Sequence, residues 1–170
     1  MTKIVSIDLE TLDVKTTAVI LEIGIVVGDD KGNVLEQFRM YPDIQEQIDL
    51  GRSVSASTFM WWMEQPEPTR LHQVNGKRHV REEVINEYLK FMSGHAGMSR
   101  VLGNAPSFDC DILSDYIGMK LWDFWMERDV RTARDVIPKS ARYVNHSEHD
   151  ALADAKAQYM DYITFLCMKP

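Results

Sequence analysis

Three apolar segments near the N-terminus limit the fold of this chain more than any other feature of its sequence. Residues 3–9 and 18–28 are rich in β-branched side chains, and residues 34–41 repeat the pattern after the polar residues 29–33. Valine, isoleucine and aromatic residues favour extended backbone, and short polar connections favour antiparallel neighbours. The sequence therefore predicts a three-stranded meander.

The rest of the chain alternates between helical and extended patterns. Apolar residues recur three and four positions apart, the helical period, in residues 80–92 and 151–166, while residues 99–103 form a short apolar run typical of a buried strand. This order favours an α/β fold, a mixed five-stranded sheet flanked by helices in a single domain over residues 1–170. The other predicted elements are a helix at 57–64, a Pro-Glu-Pro breaker at 66–68, a helix at 106–117, a fifth strand at 124–131, and mobile loops at 43–57 and 138–148.

The composition is that of an ordinary globular domain. Hydrophobic residues make up 45% of the chain and charged residues 26%, a balance that argues against disorder. No apolar run is long enough to cross a membrane, and the first strand begins too early to leave room for a signal peptide. Cys110 and Cys167 have neither disulfide nor metal-ligand spacing, so we expect free thiols in a reducing cytoplasm.

Acidic side chains interrupt the apolar patterns at three places. Asp8 and Glu10 are two positions apart in the first strand, so both carboxylates point to one face, where they repel unless a cation lies between them. Asp109 heads an apolar helix face, and Asp154 lies in the first turn of the last helix. Each acid alone has an ordinary explanation, as a solvated strand end or a helix cap. The four together are more informative than any one of them.

His149 lies just before the last helix, five residues ahead of Asp154. Five residues correspond to about 140° around a helix, so the two side chains would not share a face if both were helical. We therefore expect His149 in the loop that enters the helix, where it is free to lean over the acids. His146 is a competing candidate, and a single histidine near a helix start is more often structural or exposed.

Three segments together resemble the motifs of the DEDDh 3′→5′ exonucleases. They are residues 6–11 (SIDLET), 104–109 (NAPSFD) and 149–154 (HDALAD), in the order that the family shows. Residues 20–24 (ILEIG) are similar to the family's second strand. The resemblance covers nearly the whole chain, and the five-residue spacing in the third motif marks the histidine subclass.

The resemblance implies a ribonuclease H-like fold and hydrolysis that uses two metal ions. Asp8 would bridge two Mg²⁺ ions, for which Mn²⁺ is expected to substitute, and Glu10, Asp109 and Asp154 would complete the ligands. His149 would be the general base for the attacking water, a task suited to an imidazole that titrates near neutral pH. The expected substrate is the 3′ end of single-stranded RNA or DNA, and the expected products are nucleoside 5′-monophosphates.

The segment at residues 58–62 (TFMWW) narrows the resemblance to short bacterial exoribonucleases and phage enzymes similar to exodeoxyribonuclease A. Small relatives are commonly dimers, so a homodimer is expected, with the aromatic residues 121–125 as a candidate interface. For Phe108 and for the two tryptophans, core packing is the alternative to substrate contact, and Trp61 competes with Trp62 for stacking on a base. The predicted substrate-binding residues are Leu9, Thr11, Trp62, Asn104 and Phe108.

The net charge of −7 is unusual for a protein that binds nucleic acid. Two Mg²⁺ ions would offset the four site carboxylates, so the substrate would be held through metal ions rather than a basic surface. Arg131 and Arg134 are candidates for a phosphate contact, with a solvated face or a salt bridge as the favoured alternative. A nuclease-like module that binds nucleic acid without turnover is the alternative function, and the presence of all five site residues argues against it.

Overall fold

Six strands form one mixed sheet in residues 2–168, the part of the chain that this computed structural model describes. The strands are β1 (Lys3–Thr11), β2 (Ile20–Asp29), β3 (Val34–Pro42), β4 (Arg78–His79), β5 (Met98–Gly103) and β6 (Glu127–Asp129). Their spatial order is β4-β3-β2-β1-β5-β6. Strands β1, β2 and β3 pair in antiparallel fashion, β1 with β2 and β2 with β3. The other three pairs, β3–β4, β1–β5 and β5–β6, are parallel.

Seven α-helices accompany the sheet within the same residues. They are α1 (Ile44–Asp49), α2 (Ala56–Glu64), α3 (Glu67–Asn75), α4 (Arg81–Ser93), α5 (Pro106–Ile117), α6 (Val130–Val136) and α7 (Ala151–Cys167). Val5 and Ile7 of β1 share one hydrophobic core with α4 and α5, while Ile4 shares another with α6 and α7. Because side chains alternate across a strand, the even-numbered residues of β1 face α7. Asp8 and Glu10 are therefore on the α7 side of the sheet.

Gly24 of β2 allows α7 to begin directly against the sheet. A Cβ atom at this position would lie 2.2 Å from the carbonyl carbon of Ala151, a separation far below van der Waals contact. Gly24 is also the partner of Asp8 in the antiparallel β1–β2 ladder. The close approach therefore brings the first turn of α7 beside the end of β1.

The α/β class and the meander are confirmed, but the sheet has six strands rather than the predicted five. The additional strand is β4, whose two residues are too few to show an alternating pattern. The strand predicted at residues 124–131 is wrong in extent: Phe124–Met126 form a 3₁₀ helix, and β6 covers only three residues. Asp129 then accepts a hydrogen bond from the N–H of Arg131, which caps α6 and ends the strand.

Three other predicted segments differ from the structure for local reasons. The loop predicted at residues 43–57 contains α1, because Asp43 caps a helix by accepting a hydrogen bond from the N–H of Glu46 over 2.8 Å. The prolines at 66–68 follow the end of α2, as the predicted breaker implies, but they also begin α3, which was not predicted. Proline suits the first helical turn, where its missing N–H would have had no partner. The loop predicted at 138–148 contains a short 3₁₀ helix at Lys139–Ala141.

The two cysteines are free thiols. Cys110 is buried in α5 and Cys167 is exposed at the end of α7, and neither forms a disulfide, as predicted. In the part of the chain that the structure describes, no helix combines the length and the apolar composition that crossing a membrane requires.

Candidate active site

Four carboxylates converge at one edge of the sheet and line a cavity of about 550 Å³. Asp8 and Glu10 come from the end of β1, Asp109 from the first turn of α5, and Asp154 from the first turn of α7. These four side chains are hereafter the acidic cluster. The structure brings together all four acids that the sequence predicted as metal ligands.

Hydrogen bonds from neighbouring elements position Asp109 and Asp8 in the acidic cluster. The N–H of Leu9 donates to Asp109 Oδ1 over 3.2 Å, so β1 itself positions the carboxylate of α5. Gln158 Nε2 donates to Asp8 Oδ1 over 2.5 Å. Sequence reasoning missed Gln158, although it lies four residues after Asp154 and such positions share a helix face.

His149 occupies the loop just before α7, as predicted, with a backbone φ of 63°. Residues other than glycine seldom adopt this left-handed conformation, so surrounding contacts must hold it. Its N–H donates to Asp154 Oδ2 over 2.8 Å, while Asn145 Nδ2 donates to Asp154 Oδ1 over 2.6 Å. A ring nitrogen of His149 and carboxylate oxygens of Glu10 and Asp154 lie within 4.8 Å of one another. The competing His146 is exposed and lines a different cavity.

Burial and mutual repulsion raise the pKa values of the acidic cluster. Burial raises the pKa of Asp8 well above its ordinary value, and the charges of Asp109 and Glu10 raise it further. Burial raises the pKa of Asp109 to about 7, although backbone N–H groups oppose the shift. The pKa values of Glu10 and Asp154 are raised too, again chiefly by burial.

The chemistry of the acidic cluster suits a hard divalent cation. No lysine or arginine in residues 2–168 forms an ion pair with any of its four carboxylates. Buried oxygen ligands whose charge no side chain offsets are stabilised by Mg²⁺ or Mn²⁺, which prefer carboxylate ligands. The residues present therefore fit the metal ions that the sequence predicted.

Trp61 and Trp62 of α2 both line a second cavity, of about 400 Å³, but they differ in exposure. Trp62 is only 7% exposed and its Nε1–H donates to the carbonyl of Thr11 over 2.8 Å, whereas Trp61 is 41% exposed. The rings of Trp61 and His149 meet edge to face, with centroids 4.9 Å apart. The predicted substrate-binding residues that line this second cavity are Leu9, Thr11, Trp62 and Phe108.

The cavity of the acidic cluster also reaches two arginines. Arg134 Nε donates to Asp161 Oδ2 over 2.7 Å, and its Nη1 donates to Asn104 Oδ1 over 2.8 Å. Arg142 lines the same cavity and donates from Nη2 to the carbonyl of Arg134. Arg131 forms a surface ion pair with Asp129, and the contact of Arg134 with Asp161 is also an ion pair, so both match the predicted salt-bridge alternative. Sequence reasoning missed Arg142, which lies in a segment without regular pattern.

A second polar cluster lies directly beside the first. Glu22 of β2 is fully buried and is paired with Glu10 in the β1–β2 ladder. Its Oε1 forms an ion pair with Arg39 Nε at 3.0 Å, and Arg39 also pairs with Asp150. Burial alone would lower the pKa of Arg39, but these two carboxylates raise it above its ordinary value. The Glu22 cluster, as it is named hereafter, consists of Glu22, Arg39, His72, Gln73 and Asp150.

Two further contacts complete the Glu22 cluster. His72 Nε2 lies 3.1 Å from Glu22 Oε2, and Gln73 Nε2 donates to the same oxygen over 2.8 Å. The glutamate, the histidine and Asp150 have the composition of a metal site. Arg39 already pairs with both carboxylates, so a cation of the chain itself offsets part of their charge.

The fold brings together the four acids and His149 as expected for a 3′-5′ exonuclease, and the family match confirms the predicted resemblance to that class. Within that class, the chain belongs to the family of the 3′-5′ exoribonuclease Rv2179c-like domain, which matches residues 3–165. No protein with a curated description matches the sequence significantly.

Solved nuclease structures share the fold at low sequence identity. The zinc-bound complex of E. coli exonuclease I with single-stranded DNA has a TM-score of 0.71 at 13% identity, and the match covers 100% of this chain and 42% of that one. The same enzyme with a 5cy-dT13 oligonucleotide gives 0.67 at 15% identity and the same coverage. Cell-death related nuclease 4 gives 0.55 at 11% identity, covering 99% and 64%. This chain thus spans less than half of exonuclease I, and the likeness establishes the fold.

Proposed function

We propose that this chain is a metal-dependent 3′→5′ exonuclease that releases nucleoside 5′-monophosphates from single-stranded nucleic acid. The observation that carries the proposal is the acidic cluster, whose buried and half-buried carboxylates form no ion pair with a lysine or arginine in residues 2–168. Two of them, Glu10 and Asp154, lie within reach of the His149 ring. The description of the family favours RNA as the substrate. The exonuclease I structures contain single-stranded DNA, so DNA is the alternative.

The acidic cluster would hold divalent cations, Mg²⁺ with Mn²⁺ as a substitute, and the family resemblance implies two of them. When bound, such cations make water more acidic and offset negative charge on the leaving oxygen. A nearby positive charge favours the carboxylate form, so all four acids are ionised in the loaded protein at neutral pH. Gln158 then keeps the carboxylate of Asp8 in a fixed orientation.

His149 takes the proton from the attacking water. The separation of up to 4.8 Å between its ring nitrogen and the oxygens of Glu10 and Asp154 is one that a single water molecule can bridge. Water attacks the phosphorus while the bond to the 3′ oxygen of the penultimate nucleotide breaks. The phosphate therefore stays on the 5′ carbon of the released nucleotide.

The terminal nucleotide would lie in the cavity beside Trp61. This ring is partly exposed, and stacking a base on it is worth about 1–3 kcal/mol regardless of the base. Trp62 supports the site from the core through its bond to Thr11. Among the alternatives that the sequence left open, the geometry thus favours Trp61 for stacking.

The preceding nucleotides would continue through the cavity of the acidic cluster. Leu9, Glu10 and Phe108 line both cavities, so a strand can run from one into the other. The next phosphate would then meet Arg134 and Arg142, whose guanidinium groups suit phosphate oxygens.

A degradation time course tests the proposal. Single-stranded RNA and DNA of one sequence, labelled at the 5′ end, are incubated with Mg²⁺, Mn²⁺ or EDTA. We expect a ladder that shortens from the 3′ end with either metal, faster for RNA, and no cleavage in EDTA. Asp109→Asn should remove the activity, while Asp111→Asn, on the half-exposed side of the same helix, should retain it.

Three outcomes of this time course contradict the proposal. Cleavage that EDTA does not stop would mean that the acidic cluster needs no metal ion. Equal activity of the two aspartate variants would remove Asp109 from the site. No cleavage of either strand, with Mn²⁺ bound, would indicate a module that binds nucleic acid without turnover.

Assembly into a homodimer stays a prediction. Within residues 121–125, Trp122 is buried and donates from Nε1 to Glu127 over 2.9 Å, whereas Phe124 and Trp125 are exposed. Adjacent exposed aromatic rings are typical of contact surfaces. Sedimentation of the wild type beside Phe124→Ser measures whether this segment holds two copies together.

A further inference from the structure

Three successive residues at the start of α7 are each bound by a side chain from β2, β3 or α3. Gln73 Nε2 donates to the carbonyl of His149 over 3.1 Å and to Glu22 Oε2 over 2.8 Å. Asp150 is paired with the arginine of the Glu22 cluster. The N–H of Ala151 donates to Glu22 Oε2 over 3.3 Å. The Glu22 cluster therefore binds the backbone of His149 and Ala151 through hydrogen bonds.

These contacts hold a backbone conformation that is unfavourable by itself. His149 has a φ of 63°, in the left-handed region, where a side chain is strained. Asp154 binds its N–H, and Gln73 binds its carbonyl oxygen. Without the second bond, the peptide is free to relax toward a more favourable conformation, which would turn the imidazole away from Glu10.

Stability alone does not account for Gln73. Its side chain is buried, and in the described part of the chain its Oε1 has no hydrogen-bond partner. A buried acceptor without a partner adds nothing to stability, so what the Gln73 amide contributes comes from its donor group. The amide is better explained by its donor group, which links Glu22 to His149.

We propose that Gln73 is a positioning residue that places His149 over the acidic cluster, while Glu22 and Arg39 fix the Gln73 amide in turn. This inference rests on the proposed function, in which His149 is the general base. Gln73 does not reach the substrate and acts only through the carbonyl of His149.

Steady-state kinetics of Gln73→Met test the inference. Methionine has a similar length and packs in apolar surroundings, but it lacks the donor group. We expect kcat to fall about tenfold, as is common when a supporting hydrogen bond is lost, with KM unchanged. Gln45→Met, an exposed glutamine of α1, is the matched control and should behave as wild type. In a His149→Ala background, Gln73→Met should cause no further loss, because the group that it positions is gone.

Proton nuclear magnetic resonance provides a measurement that does not depend on turnover. The His149 ring lies 4.9 Å from that of Trp61, whose ring current shifts the imidazole signals. With five histidines in the chain, the His149 signals are assigned by their absence in His149→Ala. We expect Gln73→Met to move these signals and to leave those of His95 in place.

The outcomes separate this inference from the proposed function. Wild-type kcat in Gln73→Met, an undiminished effect in the His149→Ala background, or unmoved His149 signals would each overturn the positioning role. If His149→Ala is as active as wild type, the proposed base is wrong. The signal shift then still decides whether Gln73 positions the ring.

Discussion

The acidic cluster and the Glu22 cluster lie on neighbouring strands, and Glu10 and Glu22 are paired across the β1–β2 ladder. Each cluster offers carboxylates and a histidine close enough to share one metal ion. Arg39 pairs with both carboxylates of the Glu22 cluster, whereas in residues 2–168 no cationic side chain pairs with the acidic cluster. Charge balance, rather than residue type, separates the cluster that supports the fold from the one that suits metal ions.

The pKa values show where the electrostatic cost lies. Burying a carboxylate is unfavourable unless a positive charge and hydrogen bonds compensate. Compensation is internal in the Glu22 cluster, where Arg39 keeps its charge. In the acidic cluster the pKa values of Asp8 and Asp109 are raised, so their ionised forms are poorly compensated in the metal-free protein. Within residues 2–168, the carboxylic acids whose pKa values are raised by burial are thus those that the proposed chemistry requires.

Replacing the two paired glutamates is the sharpest way to break this comparison. Glu10→Gln should reduce turnover to background without lowering the melting temperature in EDTA, because a repelled buried charge is removed. Glu22→Gln should keep metal-dependent turnover, with a lower kcat, but should melt earlier because Arg39 loses a partner. Turnover assays and melting curves measure both variants. An active Glu10→Gln protein would contradict the assignment of the acidic cluster as the metal site.

Removing the imidazole should give the next largest effect. His149→Ala is expected to lower kcat about a hundredfold or more, the usual contribution of a general base. His146→Ala, an exposed histidine of the same loop, should stay within about twofold of wild type. The kcat values of the two variants at saturating RNA decide which histidine is the base. A loss confined to His146→Ala would move the base to the other histidine.

The stability of the metal-free protein should fall as the pH rises. The pKa of Asp109 is raised from 3.8 to about 7, so over this range the folded state holds the proton more tightly than the unfolded chain. The stability that this carboxyl contributes is present below about pH 4 and is lost as the pH rises through about 7, at about 1.4 kcal/mol per unit of pKa difference. Denaturant unfolding in EDTA at several pH values measures how the free energy of unfolding changes with pH. Asp109→Asn should lack this component, so parallel curves for the two proteins would refute the shift.

Metal ions should restore the lost stability through the acidic cluster alone. At neutral pH, Mg²⁺ at a hundred times its Kd should add about 2.7 kcal/mol to the unfolding free energy. The increase should persist in Glu22→Gln and vanish in Glu10→Gln. The same increase in both variants would place the ion elsewhere.

Loss of the internal cation should have the smallest effect of the series. Arg39→Met leaves the carboxylates of Glu22 and Asp150 without their guanidinium partner, and we expect a loss of about 2 kcal/mol in unfolding free energy. The value is below that of a fully buried ion pair because the Arg39 side chain is 31% exposed. Chemical denaturation measures the loss. A variant as stable as wild type would mean that Arg39 does not balance the cluster.

The acidic cluster was accessible from the sequence because each acid lies in a segment whose geometry is local. Alternation along β1 places Asp8 and Glu10 on one face, and helical spacing places Asp109 at the head of a buried stripe. Family resemblance supplied the last step, since nothing local says that the three segments meet. The order of the three segments along the chain was then enough to recognise the family and to predict that the four acids lie together.

The Glu22 cluster was inaccessible for the opposite reason. Its members lie in β2, β3, α3 and the loop before α7, and no period or motif joins them. The sequence also could not predict which tryptophan is exposed. Trp61 and Trp62 are adjacent, and only packing against β1 decides which of them is buried. Short elements such as β4 and α1 also depend on tertiary contacts that a local pattern does not contain.

The left-handed backbone at His149 has a consequence for how such a chain tolerates mutation. A side chain at a φ of 63° costs on the order of 1 kcal/mol, and glycine would relieve that strain. Selection for thermal resistance alone would therefore favour glycine at position 149, and the more stable proteins that it yields would lack the proposed general base.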